Sequence, residues 1–309
     1  MKPIKVYTFY RFFQFSTERI NEFKTWVSAL ESQYNLRGLF IVGAEGINTT
    51  FSIASENADA FKAALLGFFG WGPNDVTFKE SECDKHPFHE TAVKVRNEIV
   101  TLSRPDLVPG GNHHHLSSLE WEAAMQEEGT VVVDTRNSYE YEIGHFEGAL
   151  NPNIREFTEF PKWMKESKIS KDQKVLIYCT GGIRCEKAIL ELEDQGFKNV
   201  YQLDGGILTY LKERPNSKYV GECFVFDYRV AVKQDLSPTE TYRLCPHCGQ
   251  PAAVKINCVQ CGVEETVCAH CIEKDVQFKT CSKNCAHHYR MGHRSRRMHQ
   301  DAFRARQAK

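Results

Sequence analysis

The stretch Lys174-Val-Leu-Ile-Tyr-Cys-Thr-Gly-Gly-Ile-Arg-Cys-Glu-Lys187 holds the residue types best suited to covalent chemistry. Its apolar first half predicts a buried strand, so Cys179 falls at a strand's carboxyl end, where open α/β sheets place their ligands. Thr180, Gly181, Gly182 and Ile183 form a loop whose amides can point at the sulfur, and the helix expected over Arg184–Gln195 aims its positive end there. Both effects favour thiolate, which is the nucleophile. Arg184 adds a cation beside any anion held in the loop. Cys185, next to it, can resolve an oxidised Cys179 or simply pack in the helix.

The loop is one residue shorter than the phosphate cradle of cysteine phosphatases. A smaller enclosure suits sulfur transfer or attack on an electron-poor carbon better than phosphate-ester hydrolysis. A buried structural cysteine is the inert alternative.

A second constellation lies towards the end of the chain. Cys245-Pro-His-Cys248, Cys258-Val-Gln-Cys261, Cys268-Ala-His-Cys271 and Cys281-Ser-Lys-Asn-Cys285 form four pairs. Two pairs complete a tetrahedral four-thiolate site, so eight cysteines imply two structural zinc ions; which pairs combine is left open by the spacing. An iron–sulfur cluster or free thiols are the other readings. His247, His270, His287 and His288 could each replace a sulfur, but cysteines are the expected ligands. Cys83 and Cys223 read as core residues.

The elements that must position these groups follow from composition and periodicity. The 309 residues, 41% hydrophobic and 26% charged, are enough for two or three packed domains and leave little room for disorder. No stretch approaches the length of a membrane span, no secretory leader is evident, and the clustered cysteines suit a reducing compartment. These features point to a cytoplasmic protein with no membrane partner. Net charge is −8 over residues 1–240 and +7 over 241–309, so the basic end can meet an acidic polymer. Arg290, Arg294, Arg296 and Arg297 are candidate RNA contacts within that end.

Residues 1–102 alternate strand and helix signals. Ile4–Tyr10 predicts a strand, Ser16 caps a helix carrying Ile20, Phe23, Val27, Leu30 and Tyr34, and residues 36–42 and 49–53 predict two more strands. Ser55 is expected to cap a second helix, with Phe61, Leu65 and Phe68 on its inner face. A fourth strand is expected over 76–79 and a further one over 92–102. The order βαββαβ is that of a ferredoxin-like, acylphosphatase-like sandwich. Lys79, Lys94 and Arg96 on those strands either line an RNA path or are ordinary surface. Residues 103–115 read as a linker whose three adjacent histidines form a solvated loop. Residues 116–215 alternate short apolar strands with helices, the pattern of a parallel sheet covered on both faces. Residues 216–240 read as a connector, 241–288 as the zinc-binding module and 289–309 as a basic tail. The fold class is thus a multidomain α/β and α+β protein.

Asp134-Thr-Arg136, Glu140-Tyr-Glu-Ile-Gly-His-Phe-Glu-Gly-Ala149, the Cys179 loop and Leu203-Asp-Gly-Gly206 together resemble the rhodanese signature. In that comparison Asp134 and His145 are fold-stabilising hydrogen-bonders, and Arg136 is either structural or a supporting site residue. With Ala44-Glu-Gly-Ile-Asn48, Val93-Lys-Val-Arg-Asn-Glu-Ile-Val-Thr-Leu102 and the cysteine-rich end, nearly the whole chain resembles the rhodanese-domain tRNA uridine hydroxylases. The resemblance implies dioxygen-dependent hydroxylation of C5 of the wobble uridine in tRNA, giving 5-hydroxyuridine, with the loop cysteine required.

The residues permit that chemistry. Uracil is electrophilic at C6, and addition of the Cys179 thiolate there makes C5 enolate-like and open to oxygen. Arg184 and the loop amides are expected to steady charge on O4. No iron-binding two-His-one-carboxylate pattern, nucleotide fingerprint or flavin site is evident, and no obligatory protein partner is implied. Two alternatives fit parts of the pattern: a sulfurtransferase carrying a persulfide on Cys179, and a non-catalytic RNA-binding module on a rhodanese scaffold.

Overall fold

In the computed structural model, which describes residues 3–110 and 114–292, the first strand β1 (Ile4–Phe12) lies second from the edge of a five-stranded sheet. Helix α1 (Thr17–Tyr34) follows, its first turn closed by the Ser16 hydroxyl accepting from the Arg19 amide. Ile20, Phe23 and Val27 face the sheet as their helical spacing requires. Strands β2 (Arg37–Gly43) and β3 (Gly46–Ala54) form a hairpin, α2 (Ala58–Phe69) crosses back, and β4 (Lys79–Cys83) and β5 (Thr91–Val95) complete the order β4-β1-β3-β2-β5. The core between helices and sheet is aromatic, with Phe23, Phe40, Phe51 and Phe61 fully buried and the Phe51 and Phe61 rings edge to face at 5.1 Å.

Strand β3 opens at Gly46, ahead of the expected residue 49, because its pairing with β2 runs up to Gly43 and Gly46, and three other boundaries differ as well. Ser55 opens a single 3₁₀ turn and donates its hydroxyl to the Pro3 carbonyl, so α2 starts at Ala58 instead. The fourth strand begins at Lys79, not residue 76. Asp75 accepts the Gly72 amide in a tight turn, Val76 drops into the core, and pairing with β1 starts only at Thr8 and Lys79. The strand expected over 92–102 stops at Val95, because its partner β2 runs out at Gly43; Glu98 then turns the chain by accepting the Leu102 and Ser103 amides.

The next sheet is parallel. Strand β6 (His115–Leu116), helix α3 (Ser118–Met125), β7 (Val131–Asp134), α4 (Ser138–Ile143), the short β8 (Gly144–Phe146), α5 (Phe160–Glu166), β9 (Lys174–Tyr178), α6 (Ile183–Asp194), β10 (Asn199–Leu203) and α7 (Gly206–Glu213) give the order β6-β10-β9-β7. Val175 and Ile177 point into one apolar cluster, Leu176 and Tyr178 into another. This is what a central strand covered on both faces demands. His115 corrects the reading of the histidine run as solvated loop: it lies on β6, and its ring reaches the Glu186 carboxylate at 3.0 Å.

Strand β11 (Tyr219–Gly221) pairs with β8, and β12 (Cys223–Phe224) with β13 (Ala231–Val232). The chain divides into two compact units, Met1–Asp227 with Ala231–Pro238, and Tyr228–Val230 with Thr239–Lys309. In the second, β14 (Arg243–Leu244) pairs with β15 (Pro251–Ala252) and β16 (Val254–Asn257) with β17 (Glu264–Val267), followed by α8 (Ala269–Lys274) and α9 (Lys283–Arg290). No helix among the described residues is long and apolar enough to cross a membrane.

Candidate active site and metal centres

Cys179 follows the last residue of β9 and accepts a hydrogen bond from the Gly182 amide at 3.1 Å. Two glycines shape the cradle. Gly182 has φ +98°, and a Cβ there would stand 2.8 Å from the Tyr10 hydroxyl; a Cβ on Gly206, φ +68°, would meet the Cys179 carbonyl oxygen at 2.6 Å. The first amides of α7 complete the enclosure, with Ile207 donating to the Cys179 carbonyl and Leu208 to that of Thr180. Burial alone would raise the Cys179 thiol. A hydrogen bond with the Cys185 thiol, the Arg184 charge and the amides of Cys185 and Arg184 outweigh it and bring the thiol down to about 6. Cys179 is therefore equipped to act as a thiolate near neutrality.

Arg184 lies beside this thiol, but its guanidinium is engaged: it donates twice to Glu140, at 2.6 and 2.8 Å, in a buried bidentate pair. Burial pushes the Glu140 carboxyl up and Arg184 overrides it, holding Glu140 ionised. Thr180 completes this corner, its hydroxyl 3.4 Å from both partners. Gly181 and Ile183 are half-buried at the loop's outer edge. Cys185 is fully buried, with Thr135 Oγ1 at 3.8 Å from its sulfur, and burial, then its hydrogen bond with Cys179 and the charge there, push its thiol well up. Arg136 is fully buried as well, donating to Asp134 and to the Gly144 carbonyl, both at 2.6 Å, within the fold. His145 stacks on Tyr141 with 4.0 Å between ring centroids.

Several neighbours were not singled out by sequence reasoning. Tyr10 of β1 donates to Glu186 at 2.7 Å, so the first sheet stands over the cysteine loop. Lys187, fully buried, bridges Glu45 at 2.8 Å and Glu98 at 2.7 Å. Glu140, Glu45, Glu98, Glu186 and Lys187 all sit inside quoted motif segments; the available signal was charge at helix and loop positions that the motif spacing turns inward.

The eight C-terminal cysteines gather into two groups, Cys245, Cys248, Cys268 and Cys271, and Cys258, Cys261, Cys281 and Cys285, with all four sulfurs of each group within 4.8 Å of one another. Pairs one and three therefore combine, as do two and four. Cys248 and Cys268 are 3.5 Å apart, and Cys261 is 3.6 and 3.8 Å from Cys281 and Cys285. A tetrahedral ion with metal–sulfur bonds of about 2.3 Å spaces its sulfurs by about 3.8 Å, so each group can hold a metal ion and fits zinc. The two sites are built alike. One pair lies in a turn in which the first cysteine's carbonyl accepts from Gly249 or Gly262, and the other pair stands at the start of α8 or α9. The neighbouring histidines are not among the ligand groups; His247 instead meets the Thr280 carbonyl at 2.8 Å. Of the candidate RNA contacts, Arg290 ends α9, and Arg294, Arg296 and Arg297 lie outside the described residues.

A parallel sheet with a cysteine–glycine loop at a strand end, joined to an acylphosphatase-like sandwich, defines a rhodanese-type multidomain protein. Family models agree: the UPF0176 acylphosphatase like domain matches residues 4–99, the rhodanese-like domain 118–213 and the rhodanase C-terminal segment 220–286. A relative from Bdellovibrio bacteriovorus named tRNA uridine(34) hydroxylase is 52% identical over 258 residues, 82% of this chain and 73% of its own. Relatives of the same name from a Picosynechococcus species and Legionella pneumophila are 41% and 39% identical, over 81% and 76% of this chain and 84% and 93% of theirs. The chain belongs to the tRNA uridine(34) hydroxylases, a family of enzymes.

Proposed function

We propose that this enzyme hydroxylates C5 of uridine 34 in tRNA with dioxygen, using Cys179 as nucleophile, and that each four-cysteine group holds a structural zinc. The observation that carries the reading is the buried, amide-cradled Cys179 with its lowered thiol, in a chain whose relatives are named for that reaction. Thiolate addition to C6 pushes electrons to C5, which attacks oxygen. One oxygen atom stays on the base as hydroxyl and the C5 proton departs as Cys179 is eliminated. The other oxygen atom becomes water, with two electrons and two protons drawn from an external reductant. Arg184, paired with Glu140, serves this chemistry by its field on the thiolate and by fixing the loop, in place of the direct contact with O4 expected from sequence. Zinc has no part in these steps and braces the small second unit. That unit and the basic residues from Arg290 onward are suited to phosphate contact.

The test is nucleoside mass spectrometry on unmodified tRNA incubated in air with a thiol reductant, using wild-type protein and Cys179→Ala. A gain of one oxygen on uridine with the wild type alone is expected. No gain, with sulfur passed from thiosulfate to cyanide, moves the assignment to a sulfurtransferase.

A further inference from the structure

Between the β1–β4 edge of the first sheet and the turn after β10 lies a cleft of about 770 Å³. That is within the range of small-ligand sites, and both walls belong to one compact unit. The charged groups lining it sort into two kinds. Arg11 is paired with Asp75 at 3.3 Å and Glu186 with His115 at 3.0 Å. Lys79, at the start of β4, and Asp204, just after β10, face the same cleft, and among the described residues neither side chain has a hydrogen-bond or ion-pair partner. The Lys79 ammonium lies over the Tyr10 ring, 5.1 Å from its centroid. Tyr10 in turn stands over Gly182 of the cysteine loop. Burial lowers the Lys79 ammonium, opposed by the charges of Cys179, Asp204 and Glu186, so the lysine sits within the electrostatic reach of the thiol.

A lysine offers only donors and a carboxylate only acceptors. Uracil presents the complementary edge: O4 accepts and the adjacent N3–H donates. Cytosine presents the reverse, a donating amino group beside an accepting N3. We propose that this cleft takes the target base, and that Lys79 donating to O4 and Asp204 accepting from N3–H separate uracil from cytosine. The proposal rests on the reading of the chain as acting on tRNA uridine. C6 lies across the ring from N3, so a base held by this edge keeps C6 clear of Lys79 and Asp204; Cys179 is buried outside the cleft lining, on the far side of Tyr10 and Gly182. Charge that develops on O4 then meets an unpaired ammonium, the role that Arg184, tied to Glu140, leaves vacant.

Binding separates recognition from chemistry. Anticodon stem-loop RNAs carrying uridine, cytidine or 3-methyluridine at position 34 are titrated, by fluorescence anisotropy at fixed salt, into full-length wild type, Lys79→Met and Asp204→Ala. The wild type is expected to prefer uridine over both others by about tenfold or more, and each variant to lose most of that preference while keeping its affinity for the cytidine RNA. Thermal unfolding midpoints, unchanged in the variants, show that the fold is intact. Uniform weakening on all three RNAs by Lys79→Met makes the lysine a phosphate contact and overturns the proposal. Unchanged preference in the variants, or none in the wild type, overturns it too. A wild type that discriminates but adds no oxygen leaves base recognition standing and removes the hydroxylase reading; oxygen addition with discrimination intact in both variants removes recognition alone.

Discussion

The Arg184 guanidinium is held by the Glu140 carboxylate through two hydrogen bonds, with both side chains buried. Removing one partner of such a pair strands the other. Arg184→Met is expected to cost about 3–5 kcal/mol in denaturant unfolding and to raise the Cys179 thiol, since a nearby cation is lost. The thiol itself gives a direct pH readout. A fold that lowers it to about 6 keeps thiolate as pH falls through 7 and loses it only on passing through 6. The ultraviolet thiolate absorbance of wild type minus Cys179→Ser, followed against pH, is expected to show a midpoint near 6; one near the ordinary value of about 8.5 would refute the activated-thiol reading. At this scale the sequence was generous with Cys179, because strand, glycines and arginine announce the cradle. It was silent on Glu140 as Arg184's partner. That pairing joins residues 44 positions apart, through a helix whose inward face no local periodicity marks.

Helix α6 carries much of the site. Arg184 and Cys185 serve the thiol, Glu186 ties to Tyr10 and His115, and Lys187 ties to Glu45 and Glu98, so four consecutive residues anchor the loop to three different surroundings. Lys187 keeps Glu98 ionised despite the burial that would raise it. Lys187→Met leaves two carboxylates facing each other in a dry site, and a loss of about 3–5 kcal/mol in urea unfolding is expected. Combining it with Glu45→Gln and Glu98→Gln should recover part of that loss; a single mutant as stable as wild type would show the triad to be idle. Strand and helix existence was legible from apolar spacing, and the helix after Cys179 was placed within a residue at its start. At Ser55, residue 76 and residue 95 the expected boundary missed because a turn hydrogen bond or the end of a partner strand decides. Neither leaves a mark in hydrophobic periodicity.

For the molecule as a whole, the composition pointed to packed domains and the cysteine count to two metal sites, but the pairing needed three dimensions. Because pairs one and three share a site, Cys268→Ser is expected to lower bound metal from two ions per chain to one, measured by elemental analysis, and Cys281→Ser to do the same at the other group. Loss of both ions in either variant would mean that one site cannot stand without the other. Interleaving also sets an order of completion during synthesis. A nascent chain that has reached Cys261 owns half of each site and all of neither; the first group closes at Cys271, and the second waits for Cys285. A chain cut short between Cys271 and Cys281 would carry one complete group and one open pair of thiols, so the residues from Ile272 to Cys285 decide the second site alone.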